Sequence, residues 1–148
     1  MKELTYNLMT AIDPIVYNSY YTTIDQIQDK EDYDAEYPND ILVDNVKGYC
    51  REAVDMIKKA TDRIDSDALE YIKRMLNIHI ERLAKFRIEM YEFNQAIYKK
   101  EWTAGDYNRY QFLKYSLDLC KNIVSYYKQI LSHYKKDTIK DDFRLQLQ

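Results

Sequence analysis

Residues 68–100, ALEYIKRMLNIHIERLAKFRIEMYEFNQAIYKK, carry the pattern from which the fold is read. Apolar side chains recur at Leu69, Ile72, Leu76, Ile80 (or His79 beside it), Leu83, Phe86, Met90, Phe93 and Ile97. Spacings of three and four place them on one side of an α-helix. Such a helix is about 50 Å long at 1.5 Å per residue, and with a single apolar stripe it needs a partner of similar length. The partner follows directly. Tyr110, Leu113, Leu117, Cys120, Val124, Tyr127, Leu131 and Tyr134 repeat the pattern over about 104–136. Between the two lies a break at 102–106, where Thr103 and Asp106 have capping-box spacing and Gly105 adds turn character. Two helices of similar length joined by a short turn predict an antiparallel hairpin.

Working back towards the N-terminus, a first helical pattern runs from about Lys2 to Gln28, with Leu4, Leu8, Ala11, Ile12, Ile15, Tyr20, Ile24 and Ile27 as its stripe. Asp13-Pro14 interrupts it. Proline is tolerated in a first turn after an Asp cap but costs ~3 kcal/mol in a helix interior, so either a fresh helix starts at Pro14 or one helix kinks there. Residues 29–40, DKEDYDAEYPND, read as an acidic loop: six carboxylates and one lysine repel each other, and Pro38 blocks a continuing helix. Asp32, Asp34 and Glu36 alternate as calcium ligands do, but the central glycine of a calcium loop is missing. A second helix is expected from near Asp40 to about Ile64, burying Leu42, Val43, Val46, Cys50, Ala53, Ile57, Ala60 and Ile64. Gly48 inside it costs roughly 1 kcal/mol relative to Ala, and close helix–helix approach would be one reason to keep it. Asp67, with Glu70 three residues on, is the expected cap of the third helix. The expectation is an all-α protein, an antiparallel four-helix-type bundle with a long C-terminal helical hairpin. It forms one domain over 1–136, followed by a tail at 137–148 with weakly alternating Phe143, Leu145 and Leu147.

Composition supports this class. Two glycines and two prolines leave little material for hairpin turns. Sixteen tyrosines stand against four phenylalanines and one tryptophan. Tyrosine buries its ring while its hydroxyl reaches water or a partner, which suits the border of an apolar stripe; a tyrosine-rich contact surface is the alternative. The net charge of −3 is unevenly spread, with 9 basic and 16 acidic residues in 1–74 against 13 and 9 in 75–148. That balance lacks the clustered basic surface of a nucleic-acid binder and favours docking of opposed halves or self-association. Cys50 and Cys120 fall within apolar helical patterns and read as free buried thiols. Met1 to Ala11 lacks the basic-then-apolar order of a secretion signal, and no apolar run of about 18 residues is present to span a membrane. A cytoplasmic protein is expected, of a cell or of a phage or mobile element within one.

Chemistry-bearing residues are few. Arg74 and His79, in Arg-Met-Leu-Asn-Ile-His on the third helix, have a spacing that resembles the short Arg/His signature of the HEPN helical ribonucleases, with Met75 where that family prefers a polar residue. The resemblance implies metal-independent RNA cleavage at a dimer interface, His79 as general base and Arg74 holding the scissile phosphate. The other reading is a boundary histidine beside a solvated arginine. His133 lies near a helix C-terminus, where its charge complements the dipole. Neither histidine has a Glu three residues before it, Leu76 and Ile130 standing there instead, so a carboxylate–histidine metal bundle is not expected. No metal and no cofactor is expected. Lys114, Lys121, Lys128 and Lys135 recur every seven residues and line one side of the fourth helix. They make a solvent face, a coiled-coil flank or a stripe that meets an acidic partner or the chain's own acidic half. Tyr126, Tyr127 and Tyr134 beside them offer rings for a partner or for stacking on bases. The segment from Glu81-Arg82-Leu83-Ala84-Lys85-Phe86 through Glu92-Phe93, Tyr98-Lys99 and Thr103 to Asp106 resembles a helix and turn of RteC-type regulators of Bacteroides conjugative elements, which implies a role in controlling DNA transfer. The leading expectation is a non-catalytic interaction or regulatory protein that binds a protein partner, with a homodimer as one form of it. The ribonuclease and the transfer regulator stand as alternatives.

Overall fold

Thr5 and Asp65 start the two halves of the chain in the same way. In the computed structural model, which describes residues 3–29, 39–60 and 62–134, the Leu8 N–H donates to Thr5 Oγ1 at 3.2 Å and the Ala68 N–H donates to Asp65 Oδ1 at 2.7 Å. Each cap satisfies a helix-start donor that the helix itself leaves unpaired. Just before each cap lies a two-residue strand, β1 (Glu3–Leu4) and β2 (Arg63–Ile64), and the two pair in parallel with Leu4 opposite Ile64. The Asp65 N–H extends this bridge by donating to the Leu4 carbonyl at 3.1 Å. Helices α1 (Tyr6–Asp29) and α2 (Asn39–Ala60) complete the first half, and α3 (Ser66–Ala96) and α4 (Ala104–His133) the second.

The four helices pack into an all-α bundle, as the periodicity predicts. Helix α4 touches the other three, and α1 packs on α2 and α3 as well. Ring pairs give the directions. Phe86 meets Phe112 and Phe93 meets Trp102 and Tyr110, so α3 and α4 run in opposite senses. Tyr6 meets Tyr71 and Tyr17 meets His79, so α1 and α3 run in the same sense, as the parallel strands leading into them require. The seam is filled by Ile12 and Val16 of α1, Val46 and Ile57 of α2, Ile72 of α3, and Leu119, Ile123 and Ile130 of α4, all buried.

Several local expectations are corrected. Leu4 and Ile64 are not helical. Both are buried, and an apolar residue just beyond a helix fits the helical period whether it continues the helix or enters a strand. Ile15 is 56% exposed and Val16 takes its place in the core, along a stripe of Met9, Ile12, Val16, Tyr20 and Ile27. One helix runs through Pro14 without a fresh start. The cap of α3 is Asp65 rather than Asp67, since of two carboxylates two residues apart only the first has the extended backbone a cap needs. Helix α3 ends at Ala96 rather than Lys100, and Lys99, at φ 58, turns the chain through the left-handed region. The α4 start matches its signature: Thr103 Oγ1 accepts from the Asp106 N–H at 3.2 Å and the Asp106 carboxylate accepts from the Thr103 N–H at 2.9 Å. Thr103→Ala is expected to lower stability by about 1 kcal/mol in denaturant titration. Most of the acidic loop at 29–40, Lys135 and the tail at 137–148 lie outside the described residues.

Gly48 does not mark a close helix contact. A Cβ built there meets nothing within 4 Å. Its helical position gives glycine no conformational advantage, so Gly48→Ala is expected to raise stability by about 0.5–1 kcal/mol, read as a higher denaturation midpoint at unchanged slope.

Candidate functional site

Three of the tyrosines converge on one buried carboxylate of α1. Asp13 is 1% exposed. A carboxylate removed from water must be hydrogen-bonded or surrender its charge, and here tyrosines supply the donors. Tyr126 donates to Oδ1 at 2.7 Å and Tyr127 donates to Oδ2 at 3.1 Å, while the Tyr71 hydroxyl adds a further hydrogen bond. Burial pushes the Asp13 carboxyl above the usual carboxylate range, and these hydroxyls pull the other way without cancelling it. The same desolvation raises the Tyr126 and Tyr127 hydroxyls, with the Asp13 charge adding to it, so both remain protonated donors. The centre continues along α1 to Tyr20, whose hydroxyl lies 3.0 Å from Cys120 Sγ. Cys50 and Cys120 are both free and buried, and burial pushes the Cys50 thiol up to about 12. A thiol so far from its thiolate is a poor nucleophile at neutral pH.

His79 belongs to this interior. It has no solvent exposure and is packed against the rings of Tyr17, Tyr20 and Tyr127. Its Nδ1 lies 2.9 Å from the Met75 carbonyl and 3.4 Å from the Tyr17 hydroxyl, and Nε2 has no hydrogen-bond partner. Burial lowers its pKa, so the ring is neutral. Arg74 sits on a different side of α3, exposed, with its guanidinium 5.6 Å from the centre of the Tyr71 ring. Five positions turn a helix by about 140° beyond a full revolution, which carries one residue of the pair to solvent and the other inward. A general base must reach the proton it takes, and His79 is sealed from any phosphate in solution. The Arg74/His79 pair that the alternative, ribonuclease reading requires is thus not assembled as a solvent-facing site, and Arg74 is solvated as the other reading has it. Among the described residues no cluster of His, Cys, Asp and Glu is placed to hold a metal ion, and no helix is long and apolar enough to cross a membrane.

Tyr127 and Tyr134 are buried as their place in the stripe of the fourth helix predicts, and the use of all three tyrosines as contact rings is corrected. Tyr126, Tyr127 and Tyr134 are each at most 3% exposed. The first two serve Asp13, and Tyr134 donates to the Ile57 carbonyl at 2.8 Å. None offers a face for stacking. Tyrosines do stand out elsewhere: Tyr91, Tyr98 and Tyr107, around the turn between α3 and α4, are exposed.

The lysine stripe is on the surface. Lys114, Lys121 and Lys128 are exposed. Lys114 lies over the Tyr115 ring at 5.2 Å, whereas Lys121 and Lys128 flank a cleft of about 440 Å³ between α3 and α4, with Arg87 on the opposite wall and Leu83 and Val124 as apolar floor. A second cleft of about 200 Å³ lies between α2 and α4, edged by Lys47 and Arg51 over Cys50 and Val54. The two clefts share Ser125 and Gln129, so they adjoin across α4. Five cations and no carboxylate line them, in a protein whose net charge is −3. Arg87, Lys47 and Arg51 were not singled out in the sequence, because three helices must pack before they share a face with the stripe. No protein-family model, no curated protein and no solved structure matches the chain.

Proposed function

We propose that the protein is a non-catalytic interaction module that binds a protein partner through the face formed by α2, α4 and α3. One observation carries the reading: the two adjoining clefts gather five cations without a carboxylate, while Asp13, His79 and the two thiols are buried in the bundle. A charge cluster of one sign repels itself and contributes nothing to folding, whereas it steers and orients an oppositely charged partner. Regulatory work of this kind needs no bound cofactor.

Charge reversal tests the reading. Affinity capture from the native source with the wild-type chain is compared with the same experiment on Lys121→Glu together with Lys128→Glu, and RNA is incubated with both. A bound protein retained by the wild type and lost with the double variant, with the RNA intact, is expected. Turnover of RNA or another substrate that depends on a single residue would replace this reading with an enzymatic one.

A further inference from the structure

We infer that the adjoining clefts take an acidic, amphipathic protein segment laid across α4, with carboxylates along its edges and apolar side chains at its centre. This rests on the interaction reading above and names the chemistry of the partner.

Charge is the first argument. Among the described residues Arg51, Arg87, Lys121 and Lys128 join no ion pair, and Lys47 has only Asp44, at 4.0 Å and exposed to solvent. Four unpaired cations around one ridge leave room for carboxylates on both sides of it. Asn122 supplies a second argument. It lines the cleft edged by Lys47 and Arg51, and its Nδ2 is shut off from solvent without a hydrogen-bond partner. An amide donor in that state costs free energy until it finds an acceptor, and a carboxylate in the cleft that Asn122 lines with Lys47 and Arg51 would supply one.

The floors distinguish a protein segment from a nucleic acid. Leu83 and Val124 line one cleft and Cys50 and Val54 the other, each still 3–7% exposed between the cations. Apolar side chains of a peptide gain from such a floor, whereas a phosphate backbone does not. A single strand gains its non-ionic affinity by stacking bases on exposed rings, and the one ring lining these clefts, Tyr126, is 1% exposed with its hydroxyl committed to Asp13. The ridge itself is polar: Gln129 Nε2 donates to Ser125 Oγ at 3.0 Å.

Three fluorescein-labelled probes test this by anisotropy at low salt: a helical peptide of about 14 residues with a leucine stripe and glutamates on its flanks, a glutamate-only peptide of equal charge, and oligo-dT of equal length. The amphipathic peptide is expected to bind at least about tenfold more tightly than either of the others. Lys121→Glu with Lys128→Glu is expected to weaken it by at least about tenfold, and Lys114→Glu, on the same helix but outside both clefts, to leave it unchanged. All these side chains are exposed, and thermal melts matching the wild type are the check that the variants fold. Three results overturn the inference: no binding of the amphipathic peptide, or binding indifferent to the double variant; oligo-dT bound as tightly, which assigns the face to nucleic acid; or salt-sensitive self-association of the wild type abolished by the double variant, which assigns it to a second copy. If the peptide fails while capture from the native source still depends on Lys121 and Lys128, the inference falls and the interaction reading stands. RNA cleavage by the wild type would remove the reading itself.

Discussion

Asp13→Ala is expected to destabilise the protein by about 3–5 kcal/mol in denaturant titration, among the largest effects of any single substitution. The change removes the acceptor for Tyr126 and Tyr127 and strands two buried hydroxyls against apolar neighbours. Asp13→Asn is the informative companion. It keeps the shape and one carbonyl acceptor, loses the charge, and is expected to cost a fraction of the alanine figure. It also abolishes a pH dependence. Because burial holds the Asp13 carboxyl above its ordinary 3.8, the folded chain takes up a proton more readily than the unfolded one. The stability this contributes is complete below 3.8 and is lost as pH rises through the raised folded value. Wild type compared with Asp13→Asn over pH 3.5–7 isolates that slope; parallel curves would show that Asp13 is not the group responsible.

His79→Ala is expected to cost about 3 kcal/mol, because it opens a cavity between the rings of Tyr17, Tyr20 and Tyr127. The sign of its pH effect is opposite to that of Asp13. Burial lowers the His79 pKa below 6.5, so the folded chain binds this proton less readily than the unfolded one. Its contribution is whole above 6.5 and declines as pH falls towards the lowered folded value. Two neighbouring groups thus push stability in opposed directions across the mildly acidic range. His79→Phe is expected to remove the acid-side loss while keeping the ring packed, and a denaturation midpoint that still drops below pH 6.5 in that variant would shift the cause elsewhere.

What was legible in the sequence followed from period and capping chemistry. The stripes of the third and fourth helices, the Thr103–Asp106 box and the burial of both cysteines needed only neighbours within a turn or two. Features that depended on distant partners were not legible. Asp13 reads as a cap before Pro14, and the tyrosines that make it a buried acceptor lie on α3 and α4, far along the chain. Tyr127 and Tyr134 fit the apolar stripe and, with Tyr126, also read as rings for a partner, because a ring with a hydroxyl suits a boundary position and the period does not say whether that hydroxyl meets water or a carboxylate. The stretch at 65–67 offered two capping carboxylates, and backbone geometry alone decides between them. At the candidate site, spacing of seven gave Lys121 and Lys128, whereas Arg87, Lys47 and Arg51 join them only through the packing of three helices.

The short parallel bridge between Glu3–Leu4 and Arg63–Ile64 has a bearing on how the chain comes apart. It joins the entrance of one helical pair to the entrance of the other, so opening either entrance also breaks the bridge. The Asp65 amide, which donates to the Leu4 carbonyl, should therefore exchange with solvent when either entrance opens, without unfolding of the whole bundle. A ribosome-bound chain, likewise, has no landing place for its first strand until residue 64 has emerged, and the closing of that loop is the late step in assembling the fold.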